Sequence, residues 1–324
     1  MTLRTRVGAA RPAGLLLGFA ADRLLGDPRR LHPVAGFGTA AAALERRLYA
    51  PSRARGVLHT AALVGAAAAL GVVTERATAG RPLARTLLTA AATWTVLGGR
   101  SLEREALAVH AHLAAGDLPA ARQRLTRLVG RDTAELDESE VSRAVVESVA
   151  ENTSDAVVAP LVWGAVAGVP GLLGYRAANT LDAMVGHHNA RYERFGWASA
   201  RLDDLLNLPG SRLTGLLVLA SAPGRAGEAW RTWRRDAAAH PSPNAGVAEA
   251  SFAGSLGIRL GGVNRYYGTR VEHRAVMGHG RPAATADVAR SVELARRVGH
   301  GAAFVAALAA TLGRCVMTRA GESR

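Results

Sequence analysis

The chain has 324 residues, 40 of them basic and every one of those Arg, with a formal net charge of +14 and a single Cys. Without Lys there is no Schiff-base or Walker-type lysine chemistry, and one Cys excludes an internal disulfide framework and a Cys-based zinc site. Aromatic residues at 5% leave no stacking platform for single-stranded nucleic acid, so the positive charge points first to anionic substrates, then to anionic lipid and last to nucleic acid.

The first element is the apolar run 13–25, behind Arg4, Arg6 and Arg11. It has the outline of a signal peptide, but Asp22 and Arg23 interrupt it, so it reads as a retained element. It stops at a turn, Leu25-Gly26-Asp27-Pro28-Arg29-Arg30-Leu31-His32-Pro33-Val34. There Asp27, Arg29 and His32 could reach a substrate, and Pro33 holds His32 out of helix. Residues 56–74 carry no Asp, Glu or Arg, and with 86–99 they predict a transmembrane helical hairpin. Arg46, Arg47, Arg53 and Arg55 before it, and Arg100 and Arg104 after it, put both ends in the cytoplasm.

Polar helices follow. One covers 101–115, with Leu102, Leu107, Val109 and Leu113 on its apolar face. A second is capped by Asp117, and a third covers 137–153. The uncharged run 156–175 contains Pro160, Gly164, Gly168, Pro170, Gly171 and Gly174. These predict a broken or re-entrant segment shielded by neighbouring helices. The runs 213–224 and 298–313 are shorter, and Cys315 just beyond reads as a buried, inert thiol. No strand alternation competes with helix. The predicted fold is therefore all-α: a multi-pass membrane helical protein with broken or re-entrant segments and cytoplasmic helical loops. It forms one integral membrane domain over 1–324, with segments 100–155 and 176–299 mainly polar. A soluble all-α protein with buried helices is the alternative.

Four stretches carry chemistry. Glu147 and Glu151 are four residues apart on one helix face, and Asp155 follows where the apolar run begins. Such oxygen ligands suit magnesium; a solvated face with Arg143 paired to Glu147 is the plainer reading. Residues 179–204 hold Asn179, Asp182, Asn189, Arg191, Arg194, Arg201 and Asp203, a mixture fit for gripping phosphate and holding a metal. His187 and His188 are adjacent and point apart, so a shared metal is the minority reading. His240-Pro241-Ser242-Pro243-Asn244-Ala245-Gly246, then Glu249 and a Gly-rich run to 262, form a stiff loop before a helix, able to offer N–H groups to an anion or simply to make a rigid turn. The fourth stretch is the turn at 24–34.

In order, these stretches resemble the CobD/CbiB family of cobalamin biosynthesis, the adenosylcobinamide-phosphate synthases. Leu24 to Val34 is similar to LLGDP-x-x-x-HPV, and Glu147 to Leu161 to ESVAEN-x-SDG-VVAPL. Asn179 to Asp204 is similar to NTLD-x-MVGY-x-N-x-RY-x-x-FG-x-ASARLDD, and His240 to Gly262 to HPSPNAG-x-PEA…LGV-x-LGG. Gly130-Arg131-Asp132-Thr133 fits a further VGRDT motif. The ordered set covers about residues 15 to 270 and is far more specific than any one motif. Ala156 stands where the family usually has Gly, Ala248 where it has Pro, and His187-His188 where it has Tyr-Lys; the last puts a phosphate role for His188 in doubt unless Arg191 or Arg194 supplies it.

The resemblance implies a multi-pass protein of the bacterial inner membrane with its active site facing the cytoplasm. It implies a ligase that joins adenosylcobyric acid to an aminopropanol phosphate, or to a related amino-alcohol or threonine phosphate, using ATP and Mg2+, with the corrinoid as substrate. The expected catalytic residues are Glu151, Asp155 and His240. Asp27, Arg29, His32, Arg131, Asn152, Asn179, Asn189, Arg191, Arg194, Arg201, Ser242, Asn244 and Glu249 are the expected substrate and phosphate ligands. Glu147, Glu151, Asp155, Asp182 and Asp203 are the magnesium candidates. The expected partners are these substrates and the lipid bilayer, with room for a homo-oligomer or other cobalamin-assembly membrane proteins, and no nucleic acid. A membrane transporter with intramembrane carboxylates is the rival reading, and a basic nucleic-acid binder the weakest.

Overall fold

The computed structural model describes residues 3–28, 32–187, 189–266 and 270–322. Arg29 and His188 lie outside the described residues, as does the side chain of Cys315. The chain is mostly helical. In order come α1 (Leu3–Leu25), α2 (Pro33–Leu48), α3 (Arg53–Ala77), α4 (Pro82–Val96), α5 (Gly99–Ala114), α6 (Leu118–Leu125) and α7 (Glu138–Thr153). A π-helical turn, Ser154–Val158, leads into α8 (Ala159–Val185), followed by α9 (Trp197–Ser221), α10 (Ala226–Asp236) and α11 (Ala245–Leu256). Strands β1 (Leu260–Tyr266) and β2 (Arg270–Met277) precede α12 (Thr285–Glu322). Two compact units result. The first comprises Met1–Gly98, Ala159–Asn207 and Ala302–Arg324, the second Gly99–Val158 and Leu208–Gly301. Of the polar segments expected from sequence, 176–207 falls in the first unit and the rest mainly in the second.

The first unit is built on close helix contacts. α1 presents Gly14 and Gly18 to Thr89 and Thr93 of α4; a Cβ at Gly14 would sit 2.5 Å from the Thr89 Cβ. The expected α3–α4 hairpin does not pair in this way: α4 packs chiefly on α1, and α3 on α8. Small residues decide these partners, since Gly71 of α3 backs onto Pro170 of α8, where a Cβ would lie 2.5 Å from the Pro170 Cα. Among the described residues, two helical stretches are long and apolar enough to cross a membrane, α3 and the continuous run Glu138–Val185; a third arises if α9 and the bent segment Pro223–Ala239 count as one span. α4 is not among them, because its 15 residues reach only about 22 Å against a hydrocarbon core of about 30 Å. The apolar window of α3 is only 22% buried, with Val57, Leu58, Leu70 and Val73 outward.

The run 156–175 is broken as expected. Gly168 takes φ 68, ψ −146 inside α8, a conformation open to Gly alone, and Pro170 follows. The freed Val169 N–H donates to Glu75 Oε1 at 3.1 Å. Glu75 also receives Arg85 at 3.3 Å and lies 3.9 Å from Arg11.

In the second unit the caps follow the sequence. Asp117 accepts from the Ala120 N–H at the start of α6, and Asp137 and Glu140 form a reciprocal capping box on α7. α11 is buried along its whole length against α10. The departure from an all-helical chain is the antiparallel hairpin of β1 and β2, with Asn264 opposite Glu272. The sequence reading found no strand here, for two physical reasons. Gly261 and Gly262 have positive φ and bulge the start of β1, which breaks the alternation. Val263, Val271 and Val276 also face outward, so the apolar pattern marks the wrong face.

Candidate active site

The densest polar cluster lies in the second unit, where α7, α11, the loop before each of them and the hairpin meet. α7 carries Glu147, Ser148 and Glu151 within one turn, α11 carries Glu249, and Arg131 precedes α7. Arg274 comes from β2 and Asn264 from β1. Arg131, Glu147, Ser148, Glu151, Glu249 and Arg274, with backbone at 128–130, line a cavity of about 130 Å³.

Glu147 is the structural hub. It is 2% exposed, and Arg131 Nη2 donates to its Oε2 at 2.6 Å. Its Oε1 accepts the Gly261 N–H at 2.8 Å and Arg143 Nη1 at 3.4 Å. Arg131 Nη1 also donates to Asn264 Oδ1 at 2.8 Å. The Arg143 pair read from four-residue spacing is therefore present, but on a buried face and with a second arginine. Both oxygens of this magnesium candidate are engaged.

Glu249 is the opposite case. It is 1% exposed, and neither oxygen has a hydrogen-bond donor among the described residues. Burial, then the neighbouring Glu147 and Glu151, push its carboxyl well above the usual range. His240 Nε2 lies 3.6 Å from Glu249 Oε1 and 3.2 Å from Arg274 Nη1. Its Nδ1 is 3.0 Å from the Ser242 N–H and 3.1 Å from the Ser242 carbonyl, so either tautomer finds a backbone partner. Burial, then the Arg274 charge, lower the imidazole pKa and favour the neutral ring.

The other expected site residues of this unit support the cluster or border it. Ser242 Oγ accepts the Asn244 and Ala245 N–H groups at the start of α11. Asn244 Oδ1 accepts from Ser211 and Arg212, both at 2.8 Å. Asn152 Nδ2 donates to the Ser148 carbonyl at 2.9 Å. Asp155 sits in the π-helical turn, whose wider winding takes it off the straight stripe of Glu147 and Glu151, and it is not a lining residue of the cavity.

The remaining expected residues belong to the first unit. Asn179 Nδ2 donates to the buried Asp203 at 3.3 Å, and Asp182 follows on α8. Asn189 Oδ1 accepts the Arg191 and Tyr192 N–H groups, closing a tight turn. Arg191 Nη2 donates to Glu45 at 2.9 Å, with its guanidinium 4.3 Å from the Tyr49 ring centre. Arg201 lies 3.8 Å from Asp204, and Arg194 is exposed. His32 Nδ1 accepts the Val34 N–H and caps α2, with extended backbone as expected before Pro33. One buried oxygen of Asp27 has no partner among the described residues.

Among the described residues no three Asp, Glu, His or Cys side chains are grouped to hold a metal ion by themselves. Sequence reasoning did not find Arg274, Asn264 or Glu45. The first two sit on the unrecognised hairpin, and Glu45 lies in an Arg-flanked helix end that reads as a membrane margin.

A sequence profile described as CobD/Cbib protein matches residues 15–295. Curated relatives of the chain carry the name Cobalamin biosynthesis protein CobD. That of Mycobacterium tuberculosis (strain H37Rv) is 50% identical over 303 residues, 92% of this chain and 95% of its own. That of Geobacter metallireducens is 50% identical over 276 residues, 82% and 85% of the two chains. That of Rhodobacter capsulatus is 43% identical over 313 residues, 93% and 98%. No solved structure matches.

Proposed function

The chain belongs to the CobD/CbiB family, and from that premise we propose that it serves cobalamin biosynthesis as an ATP-dependent ligase. The reaction joins a propionate carboxylate of adenosylcobyric acid to the amine of an aminopropanol phosphate, or of a related amino-alcohol or threonine phosphate, giving adenosylcobinamide phosphate. The observation that carries this reading is the buried cavity where Arg131, Glu151, Glu249 and Arg274 converge beside His240. It offers both signs of charge in a small space, as a substrate with an ammonium and a phosphate requires.

The carboxylate is first activated by the γ-phosphoryl group of ATP as an acyl phosphate, and the amine then attacks the acyl carbon while phosphate leaves. Arginine forks suit the phosphates of ATP and of the amine substrate. His240, kept neutral by burial and by Arg274, is suited to accept the proton that the ammonium must lose. Magnesium on ATP takes most of its ligands from phosphate and water, so one or two carboxylates suffice. We assign that role to Glu151 and Asp155 in the second unit, with Asp182 and Asp203 as the candidates in the first. Asp27, His32, Asn152, Asn179, Asn189, Arg194, Arg201 and Asn244 remain proposed substrate contacts.

We place the protein in the bacterial inner membrane as a multi-pass protein with its site facing the cytoplasm, the source of ATP. α3 is the best-supported span, and the break at Gly168 supports a re-entrant α8 that keeps the polar segments on one side. Incubation of the purified protein with adenosylcobyric acid, aminopropanol phosphate, ATP and magnesium, followed by mass analysis of the corrinoid, tests the reading. The amide product and stoichiometric ADP are expected. No ATP-dependent corrinoid product, with cation-driven flux in liposomes, would replace it by the transporter.

A further inference from the structure

Three carboxylates line the cavity in the second unit, and two of them, Glu147 and Glu249, are treated in opposite ways. Glu147 has Arg131, Arg143 and the Gly261 N–H for its two oxygens. Glu249, just as deeply buried, has no donor among the described residues for either oxygen. A buried carboxylate without donors is costly, and native structures keep few such groups without a reason. Space lies beside it, a cavity of about 130 Å³. That volume suits a chain of a few carbons and is far too small for a corrin ring.

The donors that would complete Glu249 come from whatever occupies this cavity. A primary ammonium carries three N–H donors on a compact cation, enough for both Glu249 oxygens and one more acceptor. A metal is a poorer match, because no three acidic or imidazole side chains among the described residues are grouped to chelate one. Arg131 and Arg274 on the same wall suit a phosphate on the other end of the molecule. We propose that this cavity is the subsite for the ammonium end of a small alkylamine phosphate, with Glu249 as the carboxylate that receives it. The assignment rests on the amide-forming reading for the identity of the amine, and it gives Glu249, one of the expected substrate and phosphate ligands, the amine end of that substrate. The raised carboxyl pKa of Glu249, caused by burial and then by Glu147 and Glu151, agrees with a site for a cation, since a nearby ammonium favours the charged carboxylate.

The test is binding by the full-length protein in detergent micelles of 1-amino-2-propyl phosphate, its analogue without the amine, and its N-trimethyl analogue. The wild-type protein is expected to prefer the primary amine over both analogues by about 10-fold or more, the scale of one charge-assisted hydrogen bond. Glu249→Gln should erase that preference while leaving the affinity for the amine-free phosphate unchanged. Equal binding of the three ligands by the wild type, or a full preference retained in Glu249→Gln, overturns the proposal. Should Glu249→Gln not survive purification, Glu249→Asp, which withdraws the charge by one methylene, is expected to shrink the preference several-fold, and an unchanged preference overturns the assignment. Ammonium-selective binding without amide formation would sink the ligase reading and leave this subsite standing; amide formation without ammonium preference would do the reverse.

Discussion

The two units hold together by different means. In the first, helices meet through small residues. Gly14 and Gly18 admit Thr89 and Thr93, Gly71 admits Pro170, and Gly56 backs onto the Phe195 carbonyl. One of its charged pairs, Arg191–Glu45, lies at the margin, with the Arg191 side chain 54% exposed; another set, Glu75 with Arg85 and Arg11, sits at the break in α8. In the second, the centre is ionic: Arg131, Arg143 and Glu147 are buried together against the turn of β1. Lipid is as apolar as Leu and drives no hydrophobic association between helices, so close backbone approach must supply cohesion wherever a helix such as α3, long and apolar enough to span, lies in lipid. The second unit buries α11 along its whole length together with this ionic centre.

Arg131→Met is the harshest test of this contrast. It strips Glu147 of its shortest ion pair, and removing one partner of a buried pair costs about 3–5 kcal/mol. Denaturant titration in micelles should show a loss of that size, and replacing Glu147 by Leu in the same protein should recover most of it. A loss under about 1 kcal/mol would mean that the buried network is not what holds the second unit. Gly18→Val tests the other unit. Its new side chain would overlap Thr93, and overpacking costs about 1–3 kcal/mol. A thermal midpoint equal to wild type would break the small-residue account.

Glu249→Gln sharpens the comparison through pH. The folded state raises the Glu249 pKa above its unfolded value, so its contribution to stability is fully present below the ordinary carboxylate range. It is lost as pH rises through the raised pKa. The wild-type midpoint should therefore fall relative to Glu249→Gln as pH rises above that range, with the two proteins closest in acid. Parallel profiles would mean that Glu249 is ionised and partnered in the folded protein. The smallest effect is expected from Arg191→Ala. Its pair with Glu45 is solvent-screened on the arginine side, and such pairs contribute little. Its thermal midpoint should stay within the scatter of replicate preparations; a drop as large as that of Arg131→Met would erase the distinction drawn here.

Much of the scaffold was legible because its signals are local. Asp117 and Asp137 announce helix starts within four residues, and Gly168 with Pro170 announces a break on its own. The polar stretch 147–155 was legible as a place of chemistry, although winding and burial divide its three carboxylates among different surroundings. The partners of those carboxylates were not legible. Arg131 meets Asn264 across 133 positions, and Arg191 meets Glu45 across 146, and neither pairing leaves a periodic trace. The hairpin that carries Asn264 and Arg274 hid behind glycines and outward valines.

The carboxylate of Glu75 has a consequence in time. It receives the Val169 N–H that the break at Gly168 sets free, while Arg85 and Arg11 complete its surroundings. Val169 lies 94 positions further along the chain. At about 5–20 residues per second of synthesis, Glu75 exists for roughly 5–20 s before the group it must cap has been made. α1, α3 and α4 therefore leave the ribosome with an unfinished joint, and the four-helix arrangement can close only after the second half of α8 arrives. Truncation anywhere before residue 169 should leave those three helices without the element that locks them, a product that membrane quality control would meet as an orphan.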